Sequence, residues 1–415
     1  VVVVGRDGRV TGPLCAQIVT ATLQSTGCDV IDAGLATTPT VEMAVLAAQA
    51  AGGIILSASH NPAEWNALKL LNEKGEFLSP EEGEEVIEIA EAGTAETVMY
   101  DAIGSYRQQD YLDHHIEQIL ALDFIHPEQI AARGFSVVVD GINSVGGVAI
   151  PRLLERLGLK QENIHVLNGE PTGHFAHPAE PLPENLTETI EAVAERGADL
   201  GIVVDPDADR LALITDGGQY LSEELTQVVA ADFLLRFRPG PFVTNLSSSR
   251  AIEDVAARYG VPVYRSAVGE INVVKKMQAV EAVLGGEGNG GVILPDLHYG
   301  RDALVGTAMV LQHLVNEDAM LSEVQATLPR YTISKNKLPL GDLDPDALLA
   351  DLAGRYSDAR ISTIDGVKID LDEGWVHLRK SNTEPILRIY AEATTPDAAD
   401  ALAQRFMGEL QEGAV

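Results

Sequence analysis

Along most of the chain, short apolar runs alternate with longer segments whose apolar positions recur every three to four residues. This is the pattern of parallel strands joined by amphipathic helices. Val1–Val4, Asp29–Asp32 and Gly53–Leu56 read as strands, with helices at Pro13–Ser25 and Thr40–Ala51 between them. Ser105–Leu122 reads as a helix closing this first unit. A second unit opens with the strand Phe135–Asp140, the glycine turn Gly141–Gly147 and a helix at Val148–Leu157. The Pro-rich stretch Pro178–Asn185 then leads through a helix to the strand Leu200–Val204. A third unit runs from about Leu225 through Phe242–Asn245 and Val263–Ser266 to about Pro329. From about Arg330 the pattern changes. Thr363–Leu371 and Trp375–Leu378 read as antiparallel strands, followed by a strand at Ile386–Ala393 and a helix from Asp397, an α+β arrangement.

A chain of 415 residues is too long for one core, so several domains are expected. No apolar run reaches the roughly 18 residues of a membrane span; Ala44–Leu56 is interrupted by Gln49, Gly52 and Gly53. Cys15 and Cys28 alone give no disulfide framework and fit a reducing cytoplasm. The net charge of −33, from 62 acidic against 29 basic residues of which nine are lysine, disfavours nucleic acid and anionic membrane as partners. An anionic substrate would need local arginines to overcome this field. A salt-rich cytoplasm, with screening over a few Å, would make the self-repulsion tolerable.

Two loops carry the strongest chemistry. Ser57-Ala58-Ser59-His60-Asn61-Pro62 follows the Gly53–Leu56 strand, and Asp205-Pro206-Asp207-Ala208-Asp209-Arg210 follows Leu200–Val204. Ligands of α/β sheets collect at such carboxyl edges. Ser59 is the candidate nucleophile, and a hydroxyl in that role needs a base, a cation or prior phosphorylation. The alternating carboxylates of Asp205, Asp207 and Asp209 can turn onto one hard cation such as Mg²⁺, with Arg210 facing phosphate or those carboxylates. An EF-hand is excluded: Arg210 stands where its glycine must be, Asp216 where its glutamate must be, and Leu211–Thr215 is strand-like. A dehalogenase-type phosphatase fits poorly, because its fifth loop residue is here Asp209 and the Ser59 loop is left unexplained. Two later loops complete the set. Gly285–Gly291 carries Glu287 and Asn289, which can pair with vicinal hydroxyls, between glycines that let backbone approach a ligand. Arg379-Lys380-Ser381-Asn382-Thr383-Glu384-Pro385, with Arg388 just beyond, offers a forked guanidinium and small polar groups suited to phosphate.

In this order, the four loops resemble the phosphoserine, metal, sugar and phosphate loops of the α-D-phosphohexomutase superfamily. The resemblance covers nearly the whole chain. It implies an α/β fold of three similar α/β domains with mixed, largely parallel sheets, plus a smaller C-terminal α+β domain, around a central cleft. The boundaries expected are 1–127, 128–226, 227–330 and 331–415. It also implies that Ser59 is phosphorylated and, with Asp205, Asp207 and Asp209, holds Mg²⁺. Asn66 and Lys69 match later positions of the serine loop, with Ala67 where glycine is usual. His60 and Lys69 are the candidates to move the proton. In the family the Gly141–Gly147 turn mainly joins elements.

The activity implied is transfer of a phosphoryl group between the 6- and 1-positions of a hexose or hexosamine phosphate, through a 1,6-bisphosphate. Glu287 and Asn289 would bind the sugar. Arg379, Ser381, Asn382, Thr383 and Arg388 would bind the non-reacting phosphate. The sugar loop departs from the common pattern, which has serine and histidine where Asn289 and Gly291 stand, so a base from this loop is in question. Its Gly-Glu-Gly-Asn-Gly-Gly form resembles the phosphoglucosamine mutase-like branch and favours glucosamine phosphate over glucose and mannose phosphates. Gly269 and Glu270 match a further family loop, with Ala267 in place of a frequent lysine. Family members carry an earlier segment with a Gly-Ile-Arg-Gly-like loop, which is expected to precede Val1. A phosphatase and a non-catalytic sugar-phosphate binder are the alternatives. A cytoplasmic monomer or homodimer is expected, with a small sugar phosphate as its partner.

Overall fold

The computed structural model describes residues 1–341, 344–381 and 385–412. Four sheets follow one another along the chain, and the first three are built alike. In the first, Val2–Arg6 lies between Val30–Leu35 and Gly52–Leu56, all parallel, with Tyr106–Gln108 at one edge. The other edge is Leu68–Leu71, running antiparallel to Gly52–Leu56. The second sheet places Val137–Asp140 parallel to Ile164–Leu167 and Leu200–Val204, and Leu211–Thr215 returns antiparallel. In the third, Phe242–Asn245 is parallel to Val263–Ser266 and Leu284–Glu287, and Gly291–Ile293 returns antiparallel. The fourth sheet pairs Thr332–Pro339, Ile386–Ala393, Gly374–Lys380, Val367–Asp370 and Arg360–Ser362, all antiparallel.

This topology repeats one device. The serine, metal and sugar loops each join a parallel strand to its antiparallel neighbour, at the carboxyl end of that parallel strand. The phosphate loop joins the hairpin strands Gly374–Lys380 and Ile386–Ala393. Three turns therefore occupy equivalent places, and Arg379, Ser381 and Arg388 beside the fourth line the same cleft as His60, Arg210 and Glu287.

Several sequence expectations change. Ser105–Leu122 is not one helix: Tyr106–Gln108 pairs with Val30–Asp32, and the helix covers only Leu112–Leu120. Asp110 stops it from extending backwards, because its carboxylate accepts from the Leu112 N–H at 2.8 Å as a turn before the helix. The antiparallel strands Leu68–Leu71 and Gly291–Ile293 are too short to show a period. The Pro80–Ala92 helix also escaped the pattern, because it buries no residue and has no apolar stripe to display. Local signals hold it instead: Pro80 in the first turn, and a capping box between Ser79 and Glu82.

The second and third sheets share one apolar core that runs from Leu112 to Leu328. The helices Glu223–Leu234 and Ala303–Glu317 lie within it, almost wholly buried. The first and last sheets have cores of their own. They dock on the central body largely through polar contacts. His377 shares a 2.8 Å hydrogen bond with Ser247, and Lys335 pairs with Glu223 at 3.1 Å. On the first unit's side, His115 bonds Thr40 at 3.0 Å and Asp302 at 2.9 Å, while His298 bridges Asp302 at 3.3 Å and Glu42 at 3.0 Å. Asp302 also caps the Ala303–Glu317 helix through the Leu304 and Val305 N–H groups.

This buried network sets a pH dependence. Burial works against the His298 charge, but Asp302 and Glu42 outweigh it and push the imidazole up to about 10. Its ordinary value is 6.5, so the folded protein binds the proton more tightly. That contribution is present in full below about 6.5 and is lost as pH rises through about 10. Urea unfolding between pH 6 and 10 should show stability falling with pH, and His298→Gln should flatten that slope.

Candidate active site

The serine loop is shaped from beneath by a buried arginine. Arg9 extends its guanidinium under the loop and donates to the backbone carbonyls of Ser59 (2.6 Å), Asn61 (2.8 Å), Pro62 (2.6 Å) and Trp65 (2.7 Å). Asp7 balances its charge at 3.1 Å and accepts from the Ser57 hydroxyl at 2.8 Å. Ser57 in turn accepts from the Ser59 N–H at 2.9 Å, fixing Ser59 at a φ of +48°, unusual for a residue with a side chain. Burial pushes the Asp7 carboxyl up to about 6.

The loop presents Ser59 Oγ to the metal loop, where it donates to Asp205 Oδ2 at 2.7 Å. His60 Nδ1 lies 3.4 Å from the same oxygen. Burial, then Arg210, pushes His60 down to about 4, so it is neutral near pH 7.

Asp205, Asp207 and Asp209 are fully buried, and one oxygen of each lies within 4.8 Å of the others. Asp205 Oδ1 accepts from the N–H groups of Asp209 and Arg210. Asp207 Oδ2 accepts from Lys69 at 2.5 Å and from the Thr38 hydroxyl at 2.6 Å. Asp209 Oδ2 accepts from Arg301 at 2.8 Å and from Lys69 at 3.4 Å. The Oδ1 atoms of Asp207 and Asp209 are buried with no hydrogen-bond partner. Burial and its aspartate neighbours raise Asp205 well above the carboxylate range; burial also acts on Asp209, but Arg301, Lys69 and Arg210 hold it below. Unpartnered hard oxygens on crowded carboxylates suit a divalent cation such as Mg²⁺. Burial opposes the Lys69 charge, yet Asp207 and Asp209 keep it firmly protonated. Arg210 approaches Asp209 at 3.8 Å, and its buried Nε has no hydrogen-bond partner.

Glu287 ends its strand with both carboxylate oxygens engaged. Asn245 donates to Oε1 at 2.8 Å and Arg301 to Oε2 at 2.7 Å. Asn289 accepts from the Gly291 N–H at 3.2 Å. Gly290 closes this loop onto the metal-loop strand: its carbonyl accepts from the Leu211 N–H at 3.0 Å. Its φ is +89°, and a Cβ there would lie 2.5 Å from the Leu211 carbonyl oxygen. A Cβ at Gly291 would sit 2.3 Å from Arg301 Cδ, so a side chain there would have to displace the arginine.

One cleft gathers these loops, lined by His60, Arg210, Glu287, Asn289, Arg379 and Arg388, with Ser381 beside them. The Arg379 Nε is buried without a hydrogen-bond partner. Asn382 and Thr383 lie outside the described residues. The Gly141–Gly147 turn acts structurally: Ser144 accepts from the Gly8 N–H at 2.9 Å and donates to the Pro206 carbonyl at 2.5 Å, tying Gly8, near the serine loop's anchor, to the metal loop. Thr38, Asn245, Arg9 and Arg301 were not foreseen as site residues. The need for cations in an acidic chain was the hint of the last two.

Four domain families match in order. Phosphoglucomutase/phosphomannomutase alpha/beta/alpha domains I, II and III match residues 1–97, 109–218 and 222–331, and the C-terminal domain of the same family matches 337–409. The chain belongs to the phosphoglucomutase/phosphomannomutase family. It is 38% identical to a phosphoglucomutase/phosphomannomutase of Thermococcus kodakarensis over 96% of this chain and 87% of that protein. It is 34% identical to a probable phosphoglucosamine mutase of Methanopyrus kandleri over 98% of this chain and 89% of that one. A phosphoglucomutase/phosphomannomutase family protein from Burkholderia thailandensis superposes with a TM-score of 0.86 at 26% identity, covering 100% of this chain and 90% of that one. The chain is thus a phosphohexomutase, an intramolecular phosphotransferase of the isomerase class. Among the described residues no helix is long and apolar enough to cross a membrane.

Arg9 yields a direct test. Arg9→Met strands four carbonyls and an aspartate in the interior, so denaturant unfolding should show a loss of about 3–5 kcal/mol, the cost of breaking a buried charged pair.

Proposed function

We propose that this phosphohexomutase interconverts glucosamine 6-phosphate and glucosamine 1-phosphate through a phosphoserine at Ser59, with glucose and mannose phosphates as the alternative substrates. The observation that carries the covalent mechanism is the Ser59 hydroxyl on Asp205, 2.7 Å from an aspartate whose two companions keep unpartnered oxygens. Asp205, Asp207, Asp209 and the serine phosphate would hold Mg²⁺, which when bound neutralises charge on the transferring phosphoryl group.

In the first half-reaction the bond from phosphorus to Ser59 Oγ breaks as the bond to a sugar hydroxyl oxygen forms. The sugar hydroxyl loses a proton and Oγ takes one up; His60, with Nδ1 3.4 Å from Oγ, and Lys69, on the metal-loop aspartates, are the groups proposed to move it. The resulting 1,6-bisphosphate turns round in the cleft and returns its other phosphate to Ser59. Arg379 and Arg388, with the neighbouring Ser381, bind whichever phosphate is not reacting, so one site serves both orientations. Arg210, with its unpartnered Nε, is placed to meet the reacting phosphate.

Glucosamine is favoured by the form of the sugar loop, Gly286 to Gly291, which resembles that of the phosphoglucosamine mutase-like branch. The name of the Methanopyrus kandleri relative agrees with this choice, and that of the Thermococcus kodakarensis relative with the alternative. A phosphatase would release inorganic phosphate from phospho-Ser59, and a binding protein would turn nothing over; assays of the three sugar 1-phosphates with a bisphosphate primer separate all of these.

Intact-mass measurement of freshly purified protein should show a fraction heavier by one phosphoryl group, and Ser59→Ala should lack both that fraction and mutase activity. Phosphate mapping elsewhere, or an active alanine variant, would remove the covalent mechanism. The two recognition loops should also separate kinetically. Glu287→Ala should blur discrimination among sugars, whereas Arg379→Ala should weaken every substrate alike. A charge-assisted hydrogen bond is worth about 1.5–3 kcal/mol, or one to two decades in kcat/KM. The reverse pattern on three substrates would exchange the two assignments.

A further inference from the structure

Arg301 sits at the junction of three loops. Its Nη1 donates to Glu287 of the sugar loop at 2.7 Å, and its Nη2 donates to Asp209 of the metal loop at 2.8 Å. Behind it, Glu270 takes the Arg301 backbone N–H at 2.7 Å and faces Nε at 3.2 Å. The side chain is only 10% exposed. It passes over Gly291, the residue whose missing side chain makes its path possible. A guanidinium is planar and rigid, so the carboxylates on its two ends share one charge and one orientation.

We propose that Arg301 is a positioning residue that couples the two loops, so that the charge on Glu287 sets the cation affinity of Asp209; this rests on the mutase reading above. Arg301 divides its charge between the two carboxylates. When Glu287 gives up part of its share, as it does on accepting from sugar hydroxyls, Arg301 grips Asp209 more firmly. Asp209 then becomes a weaker metal ligand. The free Oδ1 of Asp209 is the atom on which this is felt, since Oδ2 already belongs to Arg301 and Lys69. Sugar engagement and metal affinity therefore oppose one another through this contact.

A double-mutant cycle on the full chain tests this by Mg²⁺ titration in the absence of sugar, a readout independent of turnover. Glu287→Gln should weaken Mg²⁺ binding by about fivefold or more, the lower range of measured couplings between sites. In an Arg301→Met background the same Glu287→Gln change should shift Mg²⁺ affinity by less than about twofold. An Arg301 that merely supports the fold would leave the Glu287→Gln effect equal in both backgrounds, and that result overturns the proposal. Arg301→Lys, which keeps the charge without the fork, should fall between. If Arg301→Met does not fold, Gly291→Ala replaces it in the cycle, since the new Cβ displaces the Arg301 stem while the charge stays. Wild-type protein that binds no Mg²⁺ at the aspartates would refute the Mg²⁺-dependent mechanism on which the proposal rests. Normal binding without coupling refutes only the role of Arg301.

Discussion

Three buried carboxylates impose the main constraint on this molecule. Asp205, Asp207 and Asp209 have no solvent exposure, and uncompensated charge in such a place is very costly. The compensation comes from different parts of the chain. Lys69 reaches in from the edge strand of the first sheet, Arg210 from the metal loop itself, and Arg301 from the segment after the sugar loop. Thr38 and Ser59 add hydroxyls from the first unit. The cluster can be buried only if these units close on it, so assembly of the cleft and compensation of its charge are one event.

The rest of the architecture follows from how that closure is held. The second and third units share a continuous apolar core, which makes them a common base. The first unit and the C-terminal unit rest on that base through hydrogen bonds and ion pairs, with separate cores behind them. Polar docking surfaces of this kind permit relative motion more readily than a shared core does. The bisphosphate of the proposed mechanism, turning round within the cleft, would benefit from such walls. The network of His115, Asp302, His298 and Glu42 sits on the same seam, and the Ala303–Glu317 helix that it caps starts beside the metal loop, where the Ala303 N–H donates to the Ala208 carbonyl at 3.3 Å.

The serine and metal loops share one kind of strain. Ser59 has a φ of +48° and Ala208 one of +54°, both in the left-handed region that side chains disfavour. Each is held there by neighbours, Ser59 by Ser57 and by Arg9 beneath the loop, Ala208 by the turn closed from its N–H to the Asp205 carbonyl at 2.9 Å. Gly290 reaches a similar conformation without strain. Reactive side chains are thus aimed by backbone that the surrounding structure fixes.

Much of this was legible in the sequence, for a local reason. A strand, a turn and the polar residues of that turn lie within about ten positions, so the alternation of apolar runs and the residues of the four loops could be read directly. Ser59, His60, Lys69, the three aspartates, Arg210, Glu287, Asn289, Arg379, Ser381 and Arg388 do converge on one site or its lining. What the sequence could not display was anything decided by distance in space. The return strands Leu68–Leu71 and Gly291–Ile293 exist because a neighbouring strand supplies their hydrogen bonds, and their three or four residues show no period of their own. Arg9 and Arg301 look like ordinary arginines in an acidic chain. Their roles come from carbonyls 50 or more residues away and from a carboxylate 92 residues away. Gly291 reads as a lost histidine in one dimension and as room for Arg301 in three. The sequence by itself determined which groups could do the chemistry; packing decided which cations would balance them, because charge compensation depends on proximity that only the folded chain creates.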